Sequence, residues 1–80
     1  MKGFYLQMQN LYIIIPAYNE SENIKQLIND WYPVIEKHNA NNNSRLVIID
    51  DGSKDNTFQI LQECSENKNL LVTFTKKNGG

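Results

Sequence analysis

The sequence predicts an α/β fold: a βαβαβ three-stranded parallel sheet with flanking helices. Three observations predict it. Short apolar runs at residues 11–15, 46–50 and 70–75 alternate with two longer amphipathic stretches. The runs are continuous rather than alternating, the pattern of strands covered on both faces. Each amphipathic stretch is long enough for a crossover helix, and right-handed crossovers give the strand order 3-2-1.

The first run, Leu11-Tyr12-Ile13-Ile14-Ile15, is expected to end at Pro16. Asn19 and Ser21 are candidate N-caps for the following helix, and Asn19 with Glu22 has capping-box spacing. Ile24, Leu27, Ile28, Trp31 and Ile35 then recur as one apolar helical face. Pro33 falls inside this pattern; it removes a backbone donor and is expected to kink or split the helix. His38, just beyond that face, reads as a C-terminal cap. Residues 39–44, with Asn39, Asn41, Asn42 and Asn43, read as an exposed connection. The second run closes on Asp50, and Asp51-Gly52-Ser53 is turn chemistry. Asp55 or Asn56 can cap a second helix whose inward face carries Thr57, Ile60, Leu61 and Cys64. The third run leads into Lys76-Lys77-Asn78-Gly79-Gly80.

With 80 residues the chain is one small domain, burying only about 60% of the surface its unfolded form exposes. The organisation expected is an N-terminal extension at residues 1–10 and a nucleotide-binding unit at 11–80. Eight basic and nine acidic residues leave a formal net charge of -1, which argues against a nucleic-acid partner. No apolar run is long enough for a membrane span, and residues 1–10 lack a signal-peptide core. One cysteine, Cys64, cannot form an intramolecular disulfide and fits a cytoplasmic location. At its helical position it reads as core rather than as a reactive thiol.

An open α/β sheet binds ligands at the carboxyl ends of its strands. The unusual polar residues cluster there: Tyr18-Asn19-Glu20 after the first strand, Asp50-Asp51 after the second, Lys76-Lys77 after the third. Two carboxylates at one strand end cannot both be buried unpaired. One is expected to meet backbone donors, and the other to accept from a ligand such as a nucleobase ring NH or ribose hydroxyls. The plainer reading is turn formation and helix capping by Asp51, Ser53 and Asp55. In Pro16-Ala17-Tyr18-Asn19-Glu20 the small Ala17 permits close approach and Tyr18 can stack on a base. Alternatively, Asn19 and Glu20 simply start a helix.

The paired segments Ile13-Ile14-Ile15-Pro16-Ala17-Tyr18-Asn19-Glu20 and Val47-Ile48-Ile49-Asp50-Asp51-Gly52-Ser53-Lys54-Asp55 resemble family-2 glycosyltransferases of the GT-A fold. The nearest in character are dolichol- or polyprenyl-phosphate mannose or glucose synthases and bacterial polysaccharide glycosyltransferases. The resemblance runs from Leu11 to Gly80 and implies the N-terminal half of a nucleotide-diphospho-sugar transferase with an inverting reaction. It implies that Pro16, Ala17 and Tyr18 line a base pocket and that Glu20 lies near base or ribose. Asp51 would accept from the base ring NH, Asp50 would be its supporting carboxylate, and Lys76 or Lys77 would approach the diphosphate or remain solvated. The resemblance also implies a divalent cation, Mg or Mn. Its Asp-x-Asp ligands and the catalytic base fall after the third strand in that family, so this chain alone is expected to lack activity.

Two readings compete. A receiver-like signalling domain also pairs acids at strand ends, but those acids follow the first strand and its acceptor aspartate follows the third. Here the pair follows the second and the third ends in lysines. A non-catalytic module is the other: an open first-strand edge could join a second copy into a homodimer with a continuous sheet.

Overall fold

The computed structural model describes residues 10–76. Five elements follow in order: β1 (Tyr12–Ala17), α1 (Ile24–Lys37), β2 (Arg45–Asp50), α2 (Thr57–Ser65) and β3 (Leu71–Thr75). The strands form one parallel sheet ordered β1-β2-β3, the predicted 3-2-1 order seen from its other edge. Residues 1–9 of the expected extension, and the Lys77-Asn78-Gly79-Gly80 ending, lie outside the described residues.

The register sets three rows on one face of the sheet: Ile13, Leu46 and Leu71; Ile15, Ile48 and Thr73; Ala17, Asp50 and Thr75. Both crossovers step in the same direction, so their right-handedness places α1 and α2 on this same face. Ile24, Ile28 and Ile35 of α1 and Leu61 of α2 close over Leu46, Ile48 and Leu71 to make the core. The opposite face carries Ile14, Val47 and Val72 in one row and Pro16, Ile49 and Phe74 in the next. Tyr12, Ile14 and Phe74 are there 58%, 61% and 54% exposed. Continuous apolar strands predict cover on both faces; among the described residues the helices cover one.

Pro16 does not end the first strand. It lies inside β1, in register with Ile49. The Leu11 and Ala17 carbonyls accept from Arg45 and Asp51 of the β2 side, so odd-numbered residues of β1 turn their backbone polar groups toward β2. The even-numbered ones, Pro16 included, turn theirs to the open edge. A missing N–H there costs no ladder bond.

Neither does Pro33 split its helix, for α1 is a single 14-residue element with Pro33 on its exposed side. Its start also differs from expectation. The N-cap is Asn23, without a side-chain cap bond, and the Glu20 carbonyl accepts from the Asn23 and Ile24 amides. Trp31 is 44% exposed. The inward stripe runs through Ile24, Ile28, Tyr32 and Ile35; residue 31 lies as close to that line by helical angle, so periodicity alone does not separate Trp31 from Tyr32. Tyr32 packs against the core, and its hydroxyl oxygen accepts the Leu70 amide at 3.1 Å. His38 occupies the C-cap as predicted, with Nδ1 2.9 Å from the Val34 carbonyl oxygen.

The Asn-rich connection is exposed at residues 40–43, but Asn39 is half-buried and Ser44 is buried. The Ser44 hydroxyl accepts the Leu11 amide and donates to the His38 carbonyl. Asn39 Oδ1 accepts the Ser44 amide at 2.9 Å. Asn42, at φ 59°, takes the left-handed conformation that asparagine tolerates in turns.

Candidate functional site

The site begins where the sheet ends. Ala17 and Asp50 are register partners, and the ladder extends one step further through the Asp51 amide, which donates to the Ala17 carbonyl at 2.8 Å. On the other side of β2 the Lys76 amide donates to the Asp50 carbonyl at 3.0 Å. The three chain segments leaving the sheet are therefore joined at its carboxyl end.

The two adjacent acids behave differently. Asp50 is 2% exposed. Its carboxylate accepts the Ser53 amide at 3.2 and 3.3 Å, and its Oδ2 accepts the Thr75 hydroxyl at 2.8 Å. A buried carboxylate is tolerated only with such donors. These bonds close the Asp51-Gly52-Ser53 turn, which Gly52 permits by adopting φ 72°. Asp51 itself is half-exposed, and its Oδ1 lies 3.5 Å from Lys76 Nζ. Lys76 thus remains largely solvated while its ammonium lies beside Asp51, and Lys77 is outside the described residues.

The loop after β1 is fastened to the loop after β2 by four further bonds. Asn19, at φ 52°, donates its amide to the Ser53 hydroxyl at 2.8 Å, and its Oδ1 accepts the Lys54 amide at 2.8 Å. The Glu20 amide donates to the Thr57 hydroxyl at 2.9 Å. The Ser21 amide donates to Asp55 Oδ2 at 3.3 Å. Asp55 Oδ1 in turn accepts the amide and the hydroxyl of Thr57. The Thr57 hydroxyl bond, first among the causes, together with its amide and the Ser21 amide, lowers the Asp55 pKa from 3.8 to about 2.

From the sequence, Asn19 and Asp55 read as helix caps and Ser53 as a turn former. Asp55 does bond the first amide of α2, but Asn19 caps nothing and Asn56, the N-cap of α2, makes no side-chain cap bond. Their joint role as tethers between loops was missed. An asparagine one residue beyond an apolar strand and a tyrosine, with no helix starting at once, was the available signal. Of the predicted site residues, Ala17, Asp50, Asp51 and Lys76 are linked directly. Tyr18 (42% exposed) and Glu20 lie on the tethered loop. Glu20 Oε1 accepts from Asn23 Nδ2 at 3.4 Å. Pro16 lies one register step before this cluster, on the open face of the sheet; the Ala17 side chain is buried on the helix-covered face. Among the described residues no group of three or more His, Cys, Asp or Glu is arranged to hold a metal ion. Nor is any helix there long and apolar enough to cross a membrane.

Residues 12–80 match the family described as Glycosyl transferase family 2. The chain belongs to that family. The described α/β sheet with its one-sided helices accords with the N-terminal half of its GT-A fold. Among curated relatives, the UDP-N-acetylglucosamine–dolichyl-phosphate N-acetylglucosaminyltransferase of Methanococcus voltae is 47% identical over 53 residues, 66% of this chain and 18% of that protein. An uncharacterised protein of Methanocaldococcus jannaschii is 38% identical over 69 residues, 84% of this chain and 27% of that protein. The family-2 chain therefore spans from under a fifth to a little over a quarter of the length of these relatives. Sugar transfer is the chemistry that the family's description names.

Proposed function

We propose that this family-2 chain binds the nucleotide of a nucleotide-diphosphate sugar at the carboxyl ends of β1 and β2, serving an inverting glycosyl transfer. The observation that carries the reading is the tethered pair of loops presenting half-exposed Tyr18 and Asp51 from two adjoining strand ends. In this reading Tyr18 stacks on the base, Asp51 accepts from its ring NH, and Glu20 lies beside base or ribose. Pro16 and Ala17, whose side chains lie on opposite faces of the sheet, line the base pocket through the backbone that ends β1, and Asp50 supports Asp51 by fixing the turn that carries it. Lys76 offers its ammonium to the diphosphate, leaving Asp51 to the base. The name of the Methanococcus relative contains a UDP sugar and a dolichyl-phosphate acceptor, so a uridine donor and a polyprenyl-phosphate acceptor are the classes to test first.

A divalent cation, Mg or Mn, would supply charge to stabilise the departing nucleotide diphosphate. The described residues supply no ligand set for it, and the chain's own part in this reading is donor binding without transfer. The reading takes the setting to be cytoplasmic, which the donor class and the free Cys64 support. The test is a titration of uridine and guanosine diphosphates, with and without manganese, followed by amide NMR. Shifts at Tyr18, Glu20 and Asp51 that disappear in Asp51→Ala support the reading; their absence at millimolar ligand overturns it.

A second reading, self-association, is favoured by one observation: β1 is an edge strand among the described residues, with Tyr12 and Ile14 more than half exposed. A second copy pairing along this edge would extend the sheet. Sedimentation equilibrium distinguishes a dimer from a monomer, and a monomer at millimolar chain excludes the pairing.

A further inference from the structure

Tyr18 lies between two anchored residues. On one side the Ala17 carbonyl accepts the Asp51 amide at 2.8 Å. On the other, Asn19 makes two reciprocal bonds to the neighbouring loop, its amide to the Ser53 hydroxyl and its Oδ1 from the Lys54 amide, both 2.8 Å. Asp51 is likewise bracketed, by the buried Asp50 carboxylate that holds Ser53 and by Ser53 itself. We infer that Asn19 is a positioning residue of the donor site, clasping the Ser53-Lys54 turn so that Tyr18 and Asp51 keep a fixed separation.

Two properties of the residue are needed together. The backbone at φ 52° favours glycine, asparagine or aspartate over other side chains. The side-chain oxygen must reach the Lys54 amide, which glycine cannot do. A site is productive only when its groups are held to a fraction of an ångström, and partners that lock the contacting side chains supply that precision. The Asn19 clasp does so without touching ligand. Loss of it leaves Tyr18 and Asp51 in place along the chain but uncoupled from one another.

The inference rests on the proposed nucleotide site, and the experiment separates the two. Uridine and uridine diphosphate are titrated into the wild-type chain and into Asn19→Gly, Asn19→Ala and Asn19→Asp, with thermal unfolding recorded for each. Asn19→Gly keeps the left-handed backbone and loses only the acceptor. It is expected to weaken both ligands equally, by about fivefold or more, the scale of one lost hydrogen bond. Asn19→Asp retains both properties and is expected to restore binding to within about twofold of wild type. Asn19→Ala loses both and is expected to bind most weakly. Ile28→Val, in the core, serves as the stability control: it lowers the melting temperature while leaving affinity unchanged, which separates positioning from general destabilisation. Wild-type affinity in a folded Asn19→Gly overturns the positioning role alone. No binding by the wild-type chain overturns the nucleotide reading and the role together.

Discussion

Asp50 and Asp51 are neighbours in sequence with opposite fates: one is buried among donors, the other half-exposed beside Lys76. Asp50→Ala removes the buried acceptor for the Ser53 amide and the Thr75 hydroxyl and unties the turn they hold. A loss of about 2 kcal/mol or more is expected, checked by urea unfolding. The Lys76–Asp51 pair is exposed on both sides, at 65% and 47%, and such pairs contribute about 0–1 kcal/mol. Lys76→Met is therefore expected to shift stability by less than about 1 kcal/mol, and to weaken uridine diphosphate more than uridine. Equal weakening of both ligands would show Lys76 serving Asp51 and not the phosphates. Asp55 gives the pH dependence. Its folded pKa of about 2 lies below the ordinary 3.8, so the folded state binds fewer protons than the unfolded one through this window. Its contribution is present above about pH 4 and is lost as pH falls toward 2. Unfolding midpoints measured across that range should fall less steeply in Asp55→Asn than in wild type.

At the scale of elements, α1 carries an avoidable cost. Pro33 sits in the helix interior on the exposed side, so Pro33→Ala restores a backbone bond without disturbing the core. It is expected to raise stability by about 1 kcal/mol or more, read as an increased melting temperature; a decrease would mean that the proline shapes the approach to Ile35. Element order and strand topology were legible in the sequence because continuous apolar runs and a 3.6-residue period are local signals. The start of α1 was not legible. Asn19 and Ser21 look like caps in isolation, and only the second loop, more than thirty residues away, provides Ser53, Lys54 and Asp55 as their partners. Trp31 reads as part of the apolar face by its spacing, but the structure leaves it exposed and packs Tyr32 inward, where its hydroxyl meets the Leu70 amide from a distant strand end. Pro16 looked like a strand end because sequence alone does not show which side of a strand is open. In the site, the strand-end clustering of Tyr18, Glu20, Asp50, Asp51 and Lys76 could be read in advance, whereas the tethers joining it could not.

The described residues form a two-layer α/β unit in which helices cover one face of the sheet and leave the other open. Among the described residues, all nine buried hydrophobic ones belong to a single core cluster, so stability depends heavily on each. Leu61→Ala, at 0% exposure, is expected to cost about 2–5 kcal/mol and leave little folded protein, as measured by circular dichroism. The continuous apolar character of the strands is satisfied on the helix side, while Ile14, Val47, Val72, Ile49 and Phe74 extend across the other. Such a surface, together with the β1 edge, is where self-association would act, and Ile14→Lys is expected to abolish any dimer seen by sedimentation. The carboxyl end of this same sheet is where the nucleotide is proposed to bind. The most direct test is the amide NMR titration with uridine diphosphate: shifts confined to Tyr18, Glu20, Asp51 and their tethered neighbours, abolished by Asp51→Ala, are the predicted result. Unchanged spectra at millimolar ligand, or shifts that persist in Asp51→Ala, contradict it.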